Sequence, residues 1–130
     1  MKPELYYLAL TATLTALLWV PYVLDRSLKN NLGDLVGYPT GVHAHSGWAQ
    51  RLMKSHENAV ENLVVFGLLV LVAHAAGVSS PAIGTAAMVY FWARLAHAVV
   101  YALGIPWLRT LAFMAGFIAQ MVIAWQILFS

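Results

Sequence analysis

Four long apolar stretches, almost free of charge, leave this chain very few ways to fold. They run from Leu5 to Leu24, from Leu63 to Val78, from Pro81 to about Leu103 and from Trp107 to Phe129. Crossing a bilayer takes about 20 apolar residues in a helix. Lipid offers no partner to an unpaired backbone group, so a helix must satisfy its own. Of the 130 residues, 62% are hydrophobic and 9% are charged, whereas a soluble domain carries about 25% charged residues. The sequence therefore predicts an all-α integral membrane protein, a four-helix up-down bundle forming a single domain over 1–130. Its helices are expected over about 4–25, 48–76, 81–103 and 107–129. The Gly77–Ser80 and Gly104–Pro106 links are tight, which makes successive helices antiparallel neighbours.

The first stretch has the length of a span rather than the short core of a cleaved secretory signal, so it reads as a retained helix stopped by Asp25-Arg26. Ser80-Pro81 supplies an N-cap and a proline for the third helix. Asp25 to Gly47, with Gly33, Gly37, Pro39 and Gly41, reads as the one long loop. Arg26, Lys29, Arg51, Lys54 and Arg109 lie on the side of the first and third connections, and only Lys2 lies opposite. That imbalance places the first side in the cytoplasm and both termini outside. With no cysteine, disulfides, thiolate metal sites and a protein thiol nucleophile are excluded. A net charge of +2, without a basic footprint, argues against nucleic acid as a partner.

The polar stripe Arg51-Leu-Met-Lys54-Ser-His56-Glu57-Asn58-Ala-Val-Glu61-Asn62 runs straight into the second apolar stretch. A helix from Trp48 to Ala76 is roughly 40 Å long, against a hydrocarbon core of roughly 30 Å. Its polar end should therefore project from the membrane. Arg51, Lys54, Asn58 and Glu61 follow one another at spacings of three, four and three, which puts them on one helical face. Two cations, an amide and a carboxylate suit a zwitterionic or anionic ligand. The plainer alternative is a solvated face in which Lys54 pairs with Glu57, or Asn58 with Glu61.

Arg94, His97 and Tyr101 share a face of the third helix. An ionised side chain deep in a spanning helix costs roughly 2.5–3.5 kcal/mol on insertion scales, and so marks either a site or a buried pair. Glu61 is the expected partner if Arg94 is paired. Arg109-Thr110 opens the fourth helix, where backbone N–H groups favour anions. A lipid phosphate or a thiolate would both fit there.

Other features carry less. His43 and His45 alone do not make a metal site, and His56-Glu57 lacks the second histidine of a zinc-protease motif, since Val60 stands there. No metal is expected. His74 reads as a buried or interfacial histidine. Trp19, Tyr22, Trp48, Trp107 and Trp125 read as interface anchors. Gly116 and the alanines of the fourth helix suggest close helix packing.

The stripe from Arg51 to Asn62, with Phe66 following, resembles the second-helix signature of the MAPEG family, the membrane-associated proteins of eicosanoid and glutathione metabolism. Ala93-Arg94-Leu-Ala-His97-Ala-Val-Val-Tyr101 resembles its third helix, and Leu108-Arg109-Thr110 the start of its fourth. The three motifs occur in order from Trp48 onward, while the first helix and loop match only in character. The resemblance implies a homotrimer of left-handed four-helix bundles, with glutathione bound between neighbouring subunits near the cytoplasmic side. It implies that Lys54, Asn58 and Glu61 hold the peptide from one subunit and Arg94, His97 and Tyr101 from the next. Arg51 and His56 would border it, and Arg26 would close it from the first helix. Arg109 falls where the family's thiolate-stabilising arginine lies. Thr110 falls where the inducible prostaglandin E synthase has a serine.

Two departures stand out. Lys54 replaces the arginine usual in eukaryotic members, keeping the charge but losing the planar fork. Phe113 replaces the tyrosine of the inducible prostaglandin E synthase. The short polar loop resembles that of a bacterial-type member, and the resemblance implies a bacterial inner membrane. The function implied is a glutathione-dependent transferase or peroxidase acting on a lipophilic electrophile or hydroperoxide that enters from the membrane lipids. The alternatives are a non-catalytic lipid-binding or scaffold protein of the same fold and, more remotely, a small transporter. The last would be expected to show broken helices or inverted repeats, and the sequence signals neither.

Overall fold

The computed structural model describes residues 1–29 and 46–130. The long loop with its glycines, His43 and His45 lies outside the described residues. The chain forms α1 (Pro3–Leu17), α2 (Trp19–Lys29), α3 (Gly47–Ala75), α4 (Pro81–Leu103) and α5 (Pro106–Leu128), with no strand among the described residues. Helices α1 and α2 are two halves of one span. Four segments are long and apolar enough to cross a membrane: Pro3–Leu28, Gly47–Ala75, Pro81–Leu103 and Pro106–Leu128.

The expected stop at Asp25-Arg26 does not occur, and α2 continues to Lys29. The reason is a partner that the sequence did not disclose. The Asp25 carboxylate is buried, and it accepts hydrogen bonds from the Ser46 backbone N–H at 2.8 Å and the Ser46 hydroxyl at 2.7 Å. Ser46 is the N-cap of α3. A carboxylate there answers an orphan N–H and the positive end of the helix dipole, so the charge can stay inside a helix. Hydrogen bonds to a charged group contribute about 1.5–3 kcal/mol. Asp25→Ala should therefore lower stability by about that much, read as an earlier thermal unfolding transition in detergent. An unchanged transition would refute this clasp.

The ends of α3 and α4 are closed alike. Val78 N–H donates to the Ala73 carbonyl at 2.9 Å and Ile105 N–H to the Val100 carbonyl at 3.0 Å. These are the long bonds of Schellman closures. Each needs a left-handed residue, supplied by Gly77 (φ 71°) and Gly104 (φ 76°). The expected cap of α4 is present, with the Ser80 hydroxyl accepting from Ile83 N–H at 3.3 Å.

Two apolar clusters hold the bundle together. The larger includes Phe66, Val70, Ile83, Tyr90, Ala119 and Ile123. Phe66 and Tyr90 stack there at 3.9 Å between ring centroids. Gly116 is buried against Tyr90 and Ala93, so α5 lies close to α4 as expected. The smaller cluster contains Leu18, Leu52, Ala59 and Ala98. Along α4, Arg94 and His97 fall between the two clusters, and the α3 residues they meet, Ser55 and Asn58, lie among those of the smaller cluster. Leu68, Trp92, Leu111 and Ile118 are among many exposed apolar side chains. A soluble monomer rarely exposes so much apolar surface, whereas lipid solvates it. The protein is a multi-pass membrane protein.

Candidate functional site

A polar network begins with Arg94, only 4% exposed. One of its terminal nitrogens donates to Asn58 Oδ1 at 2.8 Å. The other makes a long contact, 3.4 Å, with His97 Nδ1. That same Nδ1 lies 2.8 Å from the Ser55 hydroxyl. A guanidinium can only donate, so Nδ1 is assigned as the acceptor and the ring proton as residing on Nε2. Asn62 donates from its side chain to the Asn58 carbonyl at 2.9 Å, and Gln120 donates to the Asn62 carbonyl at 3.2 Å. Buried polar groups are thus linked across α3, α4 and α5, as a low-dielectric interior requires. Arg94 Nε and the Tyr90 hydroxyl are buried without a hydrogen-bond partner.

Arg94 therefore pairs with Asn58, and the Glu61 partner weighed from the sequence is not used. Glu61 is exposed. Neither Lys54 nor Glu61 has a hydrogen bond or ion pair among the described residues, so the self-paired face is not formed either.

Next to this network is a cavity of about 280 Å³ lined by Asn58, His97, Tyr101, Arg109, Thr110 and Phe113. Helices α3, α4 and α5 each contribute to it. The Arg109 guanidinium carbon sits 4.8 Å from the centre of the Tyr101 ring, a cation–π distance that holds the charge at the cavity wall. The Thr110 hydroxyl donates to the Pro106 carbonyl at 3.1 Å, one turn back in its own helix. A smaller hollow of about 150 Å³ shares Tyr101 and Arg109 and is closed by Arg51 and Gly104. Arg51 Nε donates to the Ala102 carbonyl at 3.0 Å, satisfying one of the orphan acceptors at the end of α4. A Cβ at Gly104 would meet that Nε at 3.2 Å, so a side chain there would push on Arg51 as well as strain the backbone.

The remaining residues singled out from the sequence fall elsewhere. His56 and Glu61 line a separate cavity of about 340 Å³ with Tyr22, Met53 and Glu57. In that cavity the Tyr22 hydroxyl lies 2.8 Å from His56 Nδ1, so Tyr22 is more than an interface anchor. Lys54 is exposed and Arg26 is half-buried on α2. His74 is exposed in the last turn of α3. Among the described residues, no cluster of three or more metal-ligating side chains forms. Sequence reading overlooked Ser55 and Gln120. A signal for Ser55 was present: it lies in the buried stripe Leu52, Ser55, Ala59, which faces a helix bearing an arginine and a histidine.

Residues 5–129 match the MAPEG family. The protein belongs to the MAPEG family. No curated protein matches the chain, and no solved structure does. MAPEG proteins include glutathione-dependent transferases as well as non-catalytic members. Membership thus bears out the family read from the three motifs, while the activity depends on what the two cavities can do.

Proposed function

We propose that this MAPEG protein is a membrane-bound glutathione-dependent transferase or peroxidase, and that Arg109 is the residue that activates the thiol. The observation that carries the reading is the 280 Å³ cavity in which Arg109, braced on Tyr101, faces Asn58, His97 and Phe113. A cysteine thiol has a pKa of about 8.5, and a cationic neighbour lowers it. Arg109 stabilises the thiolate by charge and by N–H donation. It is not a general base, because a guanidinium stays protonated. Phe113 gives the cavity an apolar wall for the second substrate, a lipophilic electrophile or a hydroperoxide arriving from the bilayer. With the electrophile, the sulfur forms the new bond and the displaced or added group takes the electron pair. With the hydroperoxide, the thiolate attacks the terminal oxygen, the O–O bond breaks and the alkoxide leaves as an alcohol after taking a proton. A second glutathione then reduces the sulfenic acid formed, giving the disulfide and water.

The residues fit a tripeptide thiol with two carboxylates and an ammonium. Arg94 sets a buried positive charge behind Asn58 and His97, two residues of the cavity wall. Arg51 and Arg109 place two guanidiniums on one small hollow, suited to a carboxylate. The carboxylates that would take the ammonium, Glu57 and Glu61, line the other cavity. We infer that the complete site forms between subunits of a homotrimer. The Glu61 cavity of one subunit would meet the Arg109 cavity of its neighbour. Thr110 plays a lesser part, because its hydroxyl hydrogen is already given to the Pro106 carbonyl.

The direct test is calorimetric titration of the purified protein with glutathione, together with the pH dependence of thiolate absorbance in the bound state. Saturable binding with the thiol pKa lowered below about 8.5 is the expected result. No binding at millimolar glutathione would overturn the proposal. Binding with an unshifted pKa would leave a pocket that holds the peptide but does not activate it, and would refute the role of Arg109.

A further inference from the structure

The opposite end of the bundle carries a cavity of different chemistry. Glu4, in the first turn of α1, is 3% exposed. It has no hydrogen bond or ion pair among the described residues. An unpaired carboxylate at a cavity wall is a ready partner for a cation that can donate N–H bonds to it. Glu4 lines a cavity of about 530 Å³ with Tyr7, Ser79, Thr85 and Met88, where α1 meets the start of α4. Gly84 keeps the two helices close. A Cβ there would meet Pro3 Cβ at 3.3 Å and approach Glu4 Oε2 at 3.8 Å. Ser80, also on the wall, is committed to Ile83 and to Gln126, which leaves Glu4 as the charge facing the space.

A second cavity, about 570 Å³, runs between α4 and α5. Its walls are apolar: Ala82, Ala86, Val89, Ala115, Ile118 and Val122. The facing alanines make it a groove. Pro81 and Thr85 line both cavities, so the two lie side by side. Pro81 begins a membrane-spanning helix. Glu4 therefore sits at headgroup level, and the groove descends beside the hydrocarbon.

We propose that these neighbouring cavities bind a phospholipid whose headgroup ends in a primary ammonium, with the ammonium on Glu4 and an acyl chain in the α4–α5 groove. A primary ammonium has three N–H donors, which suit the carboxylate and the hydroxyls of Ser79 and Thr85. A choline headgroup has the same charge but no N–H to donate. The carboxylate thus selects the headgroup, and the groove selects a lipid over a soluble amine.

The test titrates the delipidated full-length protein in detergent with phosphatidylethanolamine or phosphatidylcholine of matched acyl chains, and native mass spectrometry reads the bound fraction. Phosphatidylethanolamine should bind about tenfold more tightly, equivalent to about 1.4 kcal/mol. Glu4→Gln, which preserves volume, should erase that preference. Ala115→Leu, which fills the groove, should weaken both lipids alike and leave the preference intact. Free ethanolamine at millimolar concentration should displace neither. Equal binding of the two lipids, or a preference that survives Glu4→Gln, would overturn the proposal. So would displacement by ethanolamine, indifference to Ala115→Leu, or absence of lipid binding because a neighbouring copy of the chain covers the groove.

Discussion

Arg109→Ala is expected to reduce kcat by about 10²–10³, the cost typical of removing one positioned donor from a site where negative charge must be held. Glutathione affinity should change far less, because Arg51, Arg94 and the acidic cavity remain. The thiolate absorbance of the bound state should then appear only near the ordinary thiol range, about 8.5. Arg109→Lys should fall between the two. Lysine restores the charge but not the planar fork, and its contact with the Tyr101 ring is weaker. Thr110→Val should retain near wild-type turnover, since the hydroxyl it removes is spent on Pro106. Steady-state kinetics with a lipophilic electrophile and with a hydroperoxide would check all three. Full turnover in Arg109→Ala would remove the assignment. Loss of binding in parallel with loss of turnover would make Arg109 a binding residue instead.

The spans were legible because lipid leaves little choice. Backbone groups must be satisfied within each segment, so long apolar runs can only be helices, and capping residues such as Ser80 and Gly104 fix where they end. Asp25 shows the limit of that logic. A charge at the end of an apolar run looks like a stop, yet it sits inside a helix when a distant N-terminus, here Ser46, comes to meet it. The site was legible in part for a similar reason. Arg94 and His97 in an apolar helix announce a polar layer, but spacing cannot name their partners. Asn58 and Glu61, three apart, differ by only about 60° around α3. The seam with α4 falls between them. It turns Asn58 toward Arg94 and leaves Glu61 in the cavity with His56. A spacing argument gives the angle between two side chains, not the place where the next helix lies.

That split gives the most decisive prediction. If the working site joins the Glu61 cavity of one subunit to the Arg109 cavity of the next, Glu61→Ala and Arg109→Ala damage opposite sides of each junction. Each variant alone should be nearly inactive. Co-expressed in equal amounts, they should assemble into mixed rings in which some junctions are built from two undamaged faces. Such a junction needs an Arg109→Ala subunit to supply Glu61 and a Glu61→Ala neighbour to supply Arg109. Each choice has a chance of one half, so about one quarter of the junctions in a randomly mixed cyclic assembly should be intact. Activity should recover to about that fraction of wild type. Mixing the separately purified variants in detergent, without subunit exchange, should recover none. A site contained within one chain predicts no recovery in either experiment, because every chain then carries a defect of its own. Recovery of about one quarter would thus establish both the oligomer and the sharing of the site. Failure to recover, with assembly verified by mass, would return the Glu61 cavity to a role outside catalysis and leave Arg109 to act within its own chain.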